Sequence, residues 1–189
     1  MNRHSFSTLF TLTPLTSMQV KENSQKTLKK AAVLIALVER EACLNVILTV
    51  RAQHLRHHPG QVSFPGGKYE TFDNSLKQTA LRETAEEIGI HSDLVEIIGK
   101  LPPLNTVSGF EVHPFIGFVD KSFTLNIDSQ EVQTVFEVPI TFLLKNKNYY
   151  KQHLFANKKR HFTYCIPYQN HLIWGATAQI LRNLQASLV

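Results

Sequence analysis

Two apolar runs stand close together early in the chain. Ala31 to Glu39 reads AAVLIALVE and Cys43 to Val50 reads CLNVILTV. Runs of this length, without helical spacing, predict two buried strands, and the short turn around Arg40 to Ala42 predicts an antiparallel hairpin. Gln61 to Gly67 (QVSFPGG) predicts a short strand entering a Pro-Gly-Gly turn. The pattern then becomes helical. At about 100° per residue, Glu83, Glu86 and Glu87 share one face, and Leu81, Ala85 and Ile88 the opposite one. Gly89 is a stop signal for that helix.

Strands follow at Leu94 to Leu101, closing on Pro102-Pro103, and at Phe110 to Val119, where Pro114 predicts an edge or a bulge. Val132 to Val138 predicts another, entering Pro139. Ile140 to Leu144 fits one or two helical turns, and His161 to Tyr168 a strand. Trp174 to Leu184 has helical spacing, with Ala178, Ile180, Leu181 and Leu184 as core candidates. The order is strands, acidic helix, strands, closing helix, which predicts a mixed sheet sandwiched by helices. Residues 29–189 read as a single domain, and residues 1–28, with Pro14 and a Lys-rich end, as a short helix or arm packing on it. That arm carries no chemistry that can be named.

Composition sharpens this picture in three places. A chain of 189 residues with 43% hydrophobic and 19% charged residues has enough apolar material for one sizeable core. No apolar run reaches the roughly 18 residues of a membrane span, and the N-terminus lacks the apolar core of a signal peptide, so a cytoplasmic protein is expected. With only two cysteines, Cys43 and Cys165, reduced thiols are expected rather than a disulfide or a nucleophile. The net charge of +5 fits an anionic ligand without naming one. The basic, aromatic stretch from Lys145 to Arg160 could suit nucleic acid, but no repeat or RNA-binding motif accompanies it, and a polar excursion beside a hairpin is the expectation.

The chemistry concentrates between Arg51 and Ile90. Three carboxylates on one helical stripe repel one another unless a cation sits among them, and Mg²⁺ is a hard cation that takes oxygen ligands and shares them with substrate phosphates. The plain alternative is a solvated acidic face. Gly66 and Gly67 upstream, Arg82 beside the acids and Gly89 behind them tip the balance to a metal–diphosphate site. The preceding loop, RAQHLRHHPG, carries Arg51 and Arg56, whose forked guanidinium groups suit phosphates. Its histidines, His54, His57 and His58, lack the spacing and partners of a zinc site. Gly66 and Gly67 allow a ligand to approach the backbone closely.

RETAEEIGI (Arg82 to Ile90) resembles the second half of the Nudix box, G-x5-E-x7-R-E-U-x-E-E-x-G-U, at Arg82, Glu83, Thr84, Glu86, Glu87, Gly89 and Ile90. The first half departs: Gly67 lies one residue too far from Arg82, and no Glu occupies the early fixed position. Glu70 and Asp73 are the nearest acids, and a one-residue insertion in the loop accounts for the shift. Upstream, LTVRAQHLRHHPGQVSFPGG resembles the signature of the coenzyme A pyrophosphatase branch. Ile47, Leu48, Thr49, Arg51, Ala52, Arg56, Gly60, Phe64, Pro65, Gly66 and Gly67 stand where that pattern wants them.

The resemblance implies a Nudix-type α/β/α sandwich with a mixed β-sheet. It implies an enzyme that hydrolyses the diphosphate of coenzyme A or its thioesters with Mg²⁺ or Mn²⁺. Glu83, Glu86, Glu87 and the Gly67 carbonyl would be metal ligands, and Arg82 would orient a glutamate. Glu131, in a polar loop before a strand, would be the general base or a further ligand; it could equally be a solvated loop acid. Arg51, Arg56, Phe64 and Gly66 would meet the substrate. The expected partner is a small molecule rather than nucleic acid or membrane, and a homodimer stays open. The alternatives are a Nudix hydrolase for another nucleoside diphosphate derivative, such as a nucleotide sugar or a dinucleotide, or a silent nucleotide-binding module.

Overall fold

A computed structural model of the chain describes residues 1–12, 28–41, 43–156 and 159–188. Most of the expected N-terminal arm, including Pro14 and Lys26, lies outside the described residues, as does Ala42 in the first hairpin turn.

Strands β1 (Lys29–Arg40) and β2 (Cys43–Arg51) form the expected antiparallel hairpin, with Leu37 opposite Val46. Between Ala31 and Val38 only Val33 is not fully buried. Such a run marks a strand covered on both faces, and alternation divides it cleanly. Ala32, Leu34, Ala36 and Val38 join one apolar cluster, while Ile35 and Leu37, with Val33 against them, join another.

The large sheet is completed by β3 (Val62–Ser63), β4 (Gly66–Lys68), β5 (Val95–Lys100), β6 (Leu104–Asn105), β7 (Phe110–Val119) and β8 (Val132–Pro139). Its main path runs β3-β2-β1-β7-β5, with β4 on β1, β6 on β7 and β8 on β2. β1 and β7 are parallel and the other pairs antiparallel, so the sheet is mixed. β1 changes partner along its length: residues 31–33 pair with β4, and residues 37–40 pair with β2. The chain between β3 and β4 therefore crosses a split in the sheet, and this split becomes the cleft described below.

Helix α2 (Leu76–Ile88) covers one face through Ala80 and Ile88. The other face is covered by a larger core. It takes in α1 (Arg3–Leu12) through Phe6, α3 (Ile140–Leu143), and α4 (Gly175–Ala186) through Ala178, Ile180, Leu181 and Leu184. A separate three-stranded antiparallel sheet of β9 (Tyr150–Ala156), β10 (Lys159–Tyr168) and β11 (His171–Trp174) sits under α4. The basic segment after Lys145 is largely one arm of this hairpin. Among the described residues, no helix is long and apolar enough to cross a membrane.

The structure corrects three expectations. β7 is an internal strand rather than an edge. Pro114 fits because its flanking partner is interrupted there: β5 ends at Lys100 and β6 begins at Leu104, and the Pro114 carbonyl takes the Leu101 N–H at 2.9 Å. The register shift falls in β5, between Ile97 and Gly99. Trp174 ends β11 instead of starting the last helix, which begins at Gly175. Strands β6 and β11, at two and four residues, are too short to leave a periodic signal.

Helix α1 is anchored by Phe6, which is fully buried and meets the Phe118 ring edge-on with centroids 6.0 Å apart. The Met1 carbonyl also accepts the Leu44 N–H at 2.9 Å. Phe6→Ala is expected to lower unfolding free energy by about 3–5 kcal/mol, the usual cost of emptying a buried phenylalanine site. Denaturant titration measures this directly, and a loss below about 1 kcal/mol would show α1 to be peripheral to the core.

Candidate active site

Local sequence places α2 closely. The Ser75 hydroxyl caps its start by accepting the Gln78 N–H at 3.2 Å. Gly89 closes it in the left-handed region at φ 77° and donates its N–H to the Ala85 carbonyl. The last carbonyls of the helix are taken by the polar loop that follows β7. Asn126 N–H donates to Ile88 O at 3.1 Å and Asp128 N–H to Glu87 O at 3.0 Å. The loop thereby folds over the helix end and carries Glu131 toward the acids of α2. A second tie holds it from the opposite side: Ala52 N–H donates to Glu131 O at 2.9 Å, and His54 Nε2 lies 3.0 Å from Gln130 O.

The three glutamates do not act as one stripe. Thr79, Ala80, Thr84, Glu87 and Ile88 form the buried side of α2, while Leu81 and Ala85 are only half-buried. Glu87 is 3% exposed, and its Oε2 accepts the Gly66 N–H at 3.2 Å. Burial pushes its carboxyl up to about 8 against the pull of that hydrogen bond, and Glu83 and Glu131 add to the rise. The Glu83 carboxyl is also raised by burial, against the neighbouring Arg82. Glu86 leaves the group: its side chain is 58% exposed and pairs with Arg82 Nη1 at 2.8 Å. The reason for the split is β4. Its two glycines let α2 approach so closely that the residues facing β4, rather than the whole acidic stripe, go under the sheet.

Arg82 is the hub of the site's ion pairs. Its Nε and Nη2 donate to the two Asp73 oxygens at 2.9 and 3.0 Å, and its Nη1 lies 3.0 Å from Glu83 Oε1. Nη2 also reaches the Lys68 carbonyl at 3.2 Å, tying α2 to β4. Asp73 is buried and receives two further donors, Thr79 Oγ1 at 2.9 Å and Glu70 N–H at 3.1 Å. Hydrogen bonds from Arg82 hold its carboxyl down at about 2. Asp73 therefore stands beside Arg82, and the loop departure noted in the sequence keeps an acid for that arginine.

The split in the sheet opens a cavity of about 670 Å³. Glu83 and Glu131 stand on its wall with Arg51, Gly66 and Gly67, and Glu87 lies behind Gly66. Three expected members are elsewhere. Arg56 is exposed and off the wall; Phe64 is 2% exposed in the larger core; Glu86 is turned to solvent on Arg82. Phe64 follows the short strand and points to the apolar side, so it supports the glycine turn and does not meet the cavity. Sequence reasoning missed Lys29, Lys68, Phe110, His57 and His58 on the wall. For the first of these the signal existed: Lys29, Ala31 and Val33 share one face of β1.

Glu83 and Glu131 add to the cost of ionising Glu87, Glu131 adds to that of Glu83, and Arg51 is the cation that offsets it at Glu87. Oxygen donors in this state suit a hard divalent cation. The residues fit by donor chemistry and charge; among the described residues, no three acidic, histidine or cysteine side chains are already drawn together around a metal position.

The NUDIX domain family model matches residues 28–156. A protein of Enterobacter sp. (strain 638) described as "Uncharacterized Nudix hydrolase NudL" is 42% identical over 156 residues, covering 82% of this chain and 81% of that protein. Among solved structures, the NUDIX domain of Shewanella oneidensis NrtR complexed with ADP ribose superposes with a TM-score of 0.54 at 18% identity, over 87% of this chain and 90% of that one. A NUDIX hydrolase from Alicyclobacillus acidocaldarius gives a TM-score of 0.52 at 18% identity, over 86% and 93%. These two likenesses bear on the fold, and both agree with the mixed sheet and its helices.

The Asp73–Arg82 pair sets a pH-dependent part of stability. A carboxyl held near 2 in the folded state contributes fully above about pH 4 and loses that contribution as pH falls through about 2. Asp73→Asn is expected to cost about 2–4 kcal/mol at pH 7, because it leaves a half-buried guanidinium short of its main partner. Urea titrations across pH should show the gap between the two proteins closing toward pH 2. A gap independent of pH would contradict the ionised pair.

Proposed function

The chain belongs to the Nudix hydrolase family, and on that premise we propose that it cleaves the diphosphate bond of coenzyme A or its thioesters, giving 4'-phosphopantetheine, or its acyl form, and adenosine 3',5'-bisphosphate. The observation that carries this reading is the path of residues 47–67. That segment bears the coenzyme A pyrophosphatase pattern, and it forms β2, β3 and β4, from which Arg51, Gly66 and Gly67 reach the cavity wall beside Glu83.

Nudix hydrolases generally use divalent cations. In this chain Glu83 and Glu87 would hold Mg²⁺ or Mn²⁺, with the Gly67 carbonyl as a further oxygen. The ion, when bound, would neutralise phosphate charge and lower the pKa of a water. Arg51 binds and orients the diphosphate through its guanidinium fork. Gly66 and Gly67 leave room for the phosphates against the backbone. Arg82 holds the Glu83 carboxylate in place from behind, itself fixed by Asp73. Glu131 is exposed to the cavity and takes a proton from the attacking water. The water oxygen bonds to one phosphorus, the bridging P–O bond breaks, and the second phosphate leaves as a monoester. Glu86 stays outside the reacting group and steadies Arg82.

Incubation of the purified protein with coenzyme A and Mg²⁺ or Mn²⁺ should release the two named products, identified by mass, and chelation should stop the reaction. Glu87→Gln is expected to lower the rate by at least about 100-fold, the scale of losing one strong transition-state contact. Turnover without metal, or near-normal activity of a folded Glu87→Gln protein, would remove the proposed site. Cleavage of nucleotide sugars with none of coenzyme A would defeat the substrate assignment and leave the family membership standing.

A further inference from the structure

Two lysines, Lys29 and Lys68, stand on the cavity wall. Along β1, Lys29, Ala31 and Val33 share one face, and Ala32, which packs with the α2 residues Ala80 and Ile88, lies on the other. In the ladders on either side, Lys68 pairs with Ala31 and Phe110 pairs with Lys29. The three side chains of Lys29, Lys68 and Phe110 therefore rise from the sheet face opposite α2, around the small side chain of Ala31. Lys29 and Lys68 are diagonal neighbours, with backbones roughly 7–8 Å apart, a spacing that two long side chains close easily on one group.

Their surroundings leave this charge uncommitted. Among the described residues, neither lysine has an ion-pair partner. Glu70 is the one further acid on the cavity wall besides Glu83 and Glu131. The cavity wall thus carries carboxylates at Glu83 and Glu131 and, rising from the sheet face opposite α2, two ammonium groups beside an aromatic ring. A substrate with phosphate at one point only would use the first and leave the second idle.

We propose that Lys29 and Lys68, with Phe110 as an apolar side wall, form a second anion subsite that holds a phosphomonoester carried by the substrate away from the bond that is cut. This rests on the reading of the cavity as a diphosphate-cleaving site. A phosphomonoester carries about −1.5 to −2 charges near pH 7, which two ammonium groups balance. Lysines bind it as point charges in a cavity open to solvent, so the interaction is salt-sensitive and modest for each lysine. In the coenzyme A reading, the group is the 3'-phosphate of the nucleotide half. This places recognition of that phosphate at the start of β1 and the end of β4.

Calorimetric titration with two uncleavable probes, adenosine 3',5'-bisphosphate and AMP, in saturating Mg²⁺ tests the subsite without turnover. The wild-type protein is expected to bind the bisphosphate about tenfold more tightly at low salt, the scale of two exposed ion pairs. In the Lys29→Ala/Lys68→Ala double variant the advantage should fall to within about twofold, with AMP affinity held, and the Lys29→Arg/Lys68→Arg pair should recover most of it. No advantage in wild type, or one that survives in a folded double alanine variant, overturns the subsite. Coenzyme A hydrolysis, assayed beside it, separates the two claims. Cleavage of coenzyme A with a lysine-independent advantage removes the subsite and keeps the function, whereas a lysine-dependent advantage without coenzyme A cleavage keeps the subsite and removes the function.

Discussion

The site depends on how closely the backbone of β4 approaches α2. A Cβ added at Gly67 would sit 2.4 Å from the Glu83 carboxyl carbon, and one added at Gly66 would sit 2.4 Å from the Ala32 carbonyl oxygen. Gly66 also holds φ at 149°, which side-chain-bearing residues rarely adopt. Because no side chain intervenes, the Gly66 N–H reaches the buried carboxylate of Glu87. That hydrogen bond offsets part of the cost of placing an acid under a sheet, and it fixes the helix against the strand at the point where Glu83 enters the cavity.

The rest of the electrostatics follows from this approach. Glu83, at the point where α2 meets β4, has its counterweight in the adjacent Arg82, which stays off the cavity wall. Its guanidinium is itself held by Asp73, so the chain Asp73–Arg82–Glu83 passes rigidity from the loop before α2 to the cavity wall. On the far side, the two-sided clamp on the 126–131 loop brings Glu131 to the same wall from a distant part of the sequence. Burial, with Glu83 and Glu131 beside it, makes the ionised form of Glu87 more costly than Arg51 and the Gly66 N–H offset, which is the condition that a divalent cation relieves.

The strands were legible where they are long. β1 and β2 announce themselves as apolar runs, because burial on both faces leaves little room for polar residues, and β7 and β8 through their β-branched and aromatic residues. The helical register of α2 was legible too, but not which side of it would be covered. Periodicity placed Leu81, Ala85 and Ile88 inward, whereas the glycines of β4 draw Glu87 inward as well and leave Glu86 in solvent. Asp73 could be named as a nearby acid, yet only the folded loop shows that it meets Arg82. Phe64 and Arg56 sit in the same short segment as Arg51, Gly66 and Gly67, and spacing alone cannot say which of the five face the cavity. Pro114 misled for a related reason: its tolerance depends on a gap in the neighbouring strand, a fact of topology rather than of local sequence. Lys29 and Lys68 become neighbours only through the β1–β4 ladder, across 39 residues of chain.

The account's central claim is that the cleft between β4, α2 and the 126–131 loop is the metal-holding centre of a diphosphate hydrolase. Crystals soaked in Mn²⁺ and measured at an anomalous-scattering wavelength test it most directly. The account predicts an anomalous peak within coordination distance of carboxylate oxygens of Glu83 and Glu87, on the cavity side of Gly67, and its loss in crystals of the Glu83→Gln/Glu87→Gln variant. A peak held by Glu86 and the solvent face of α2, or one unaffected by that double substitution, would contradict it.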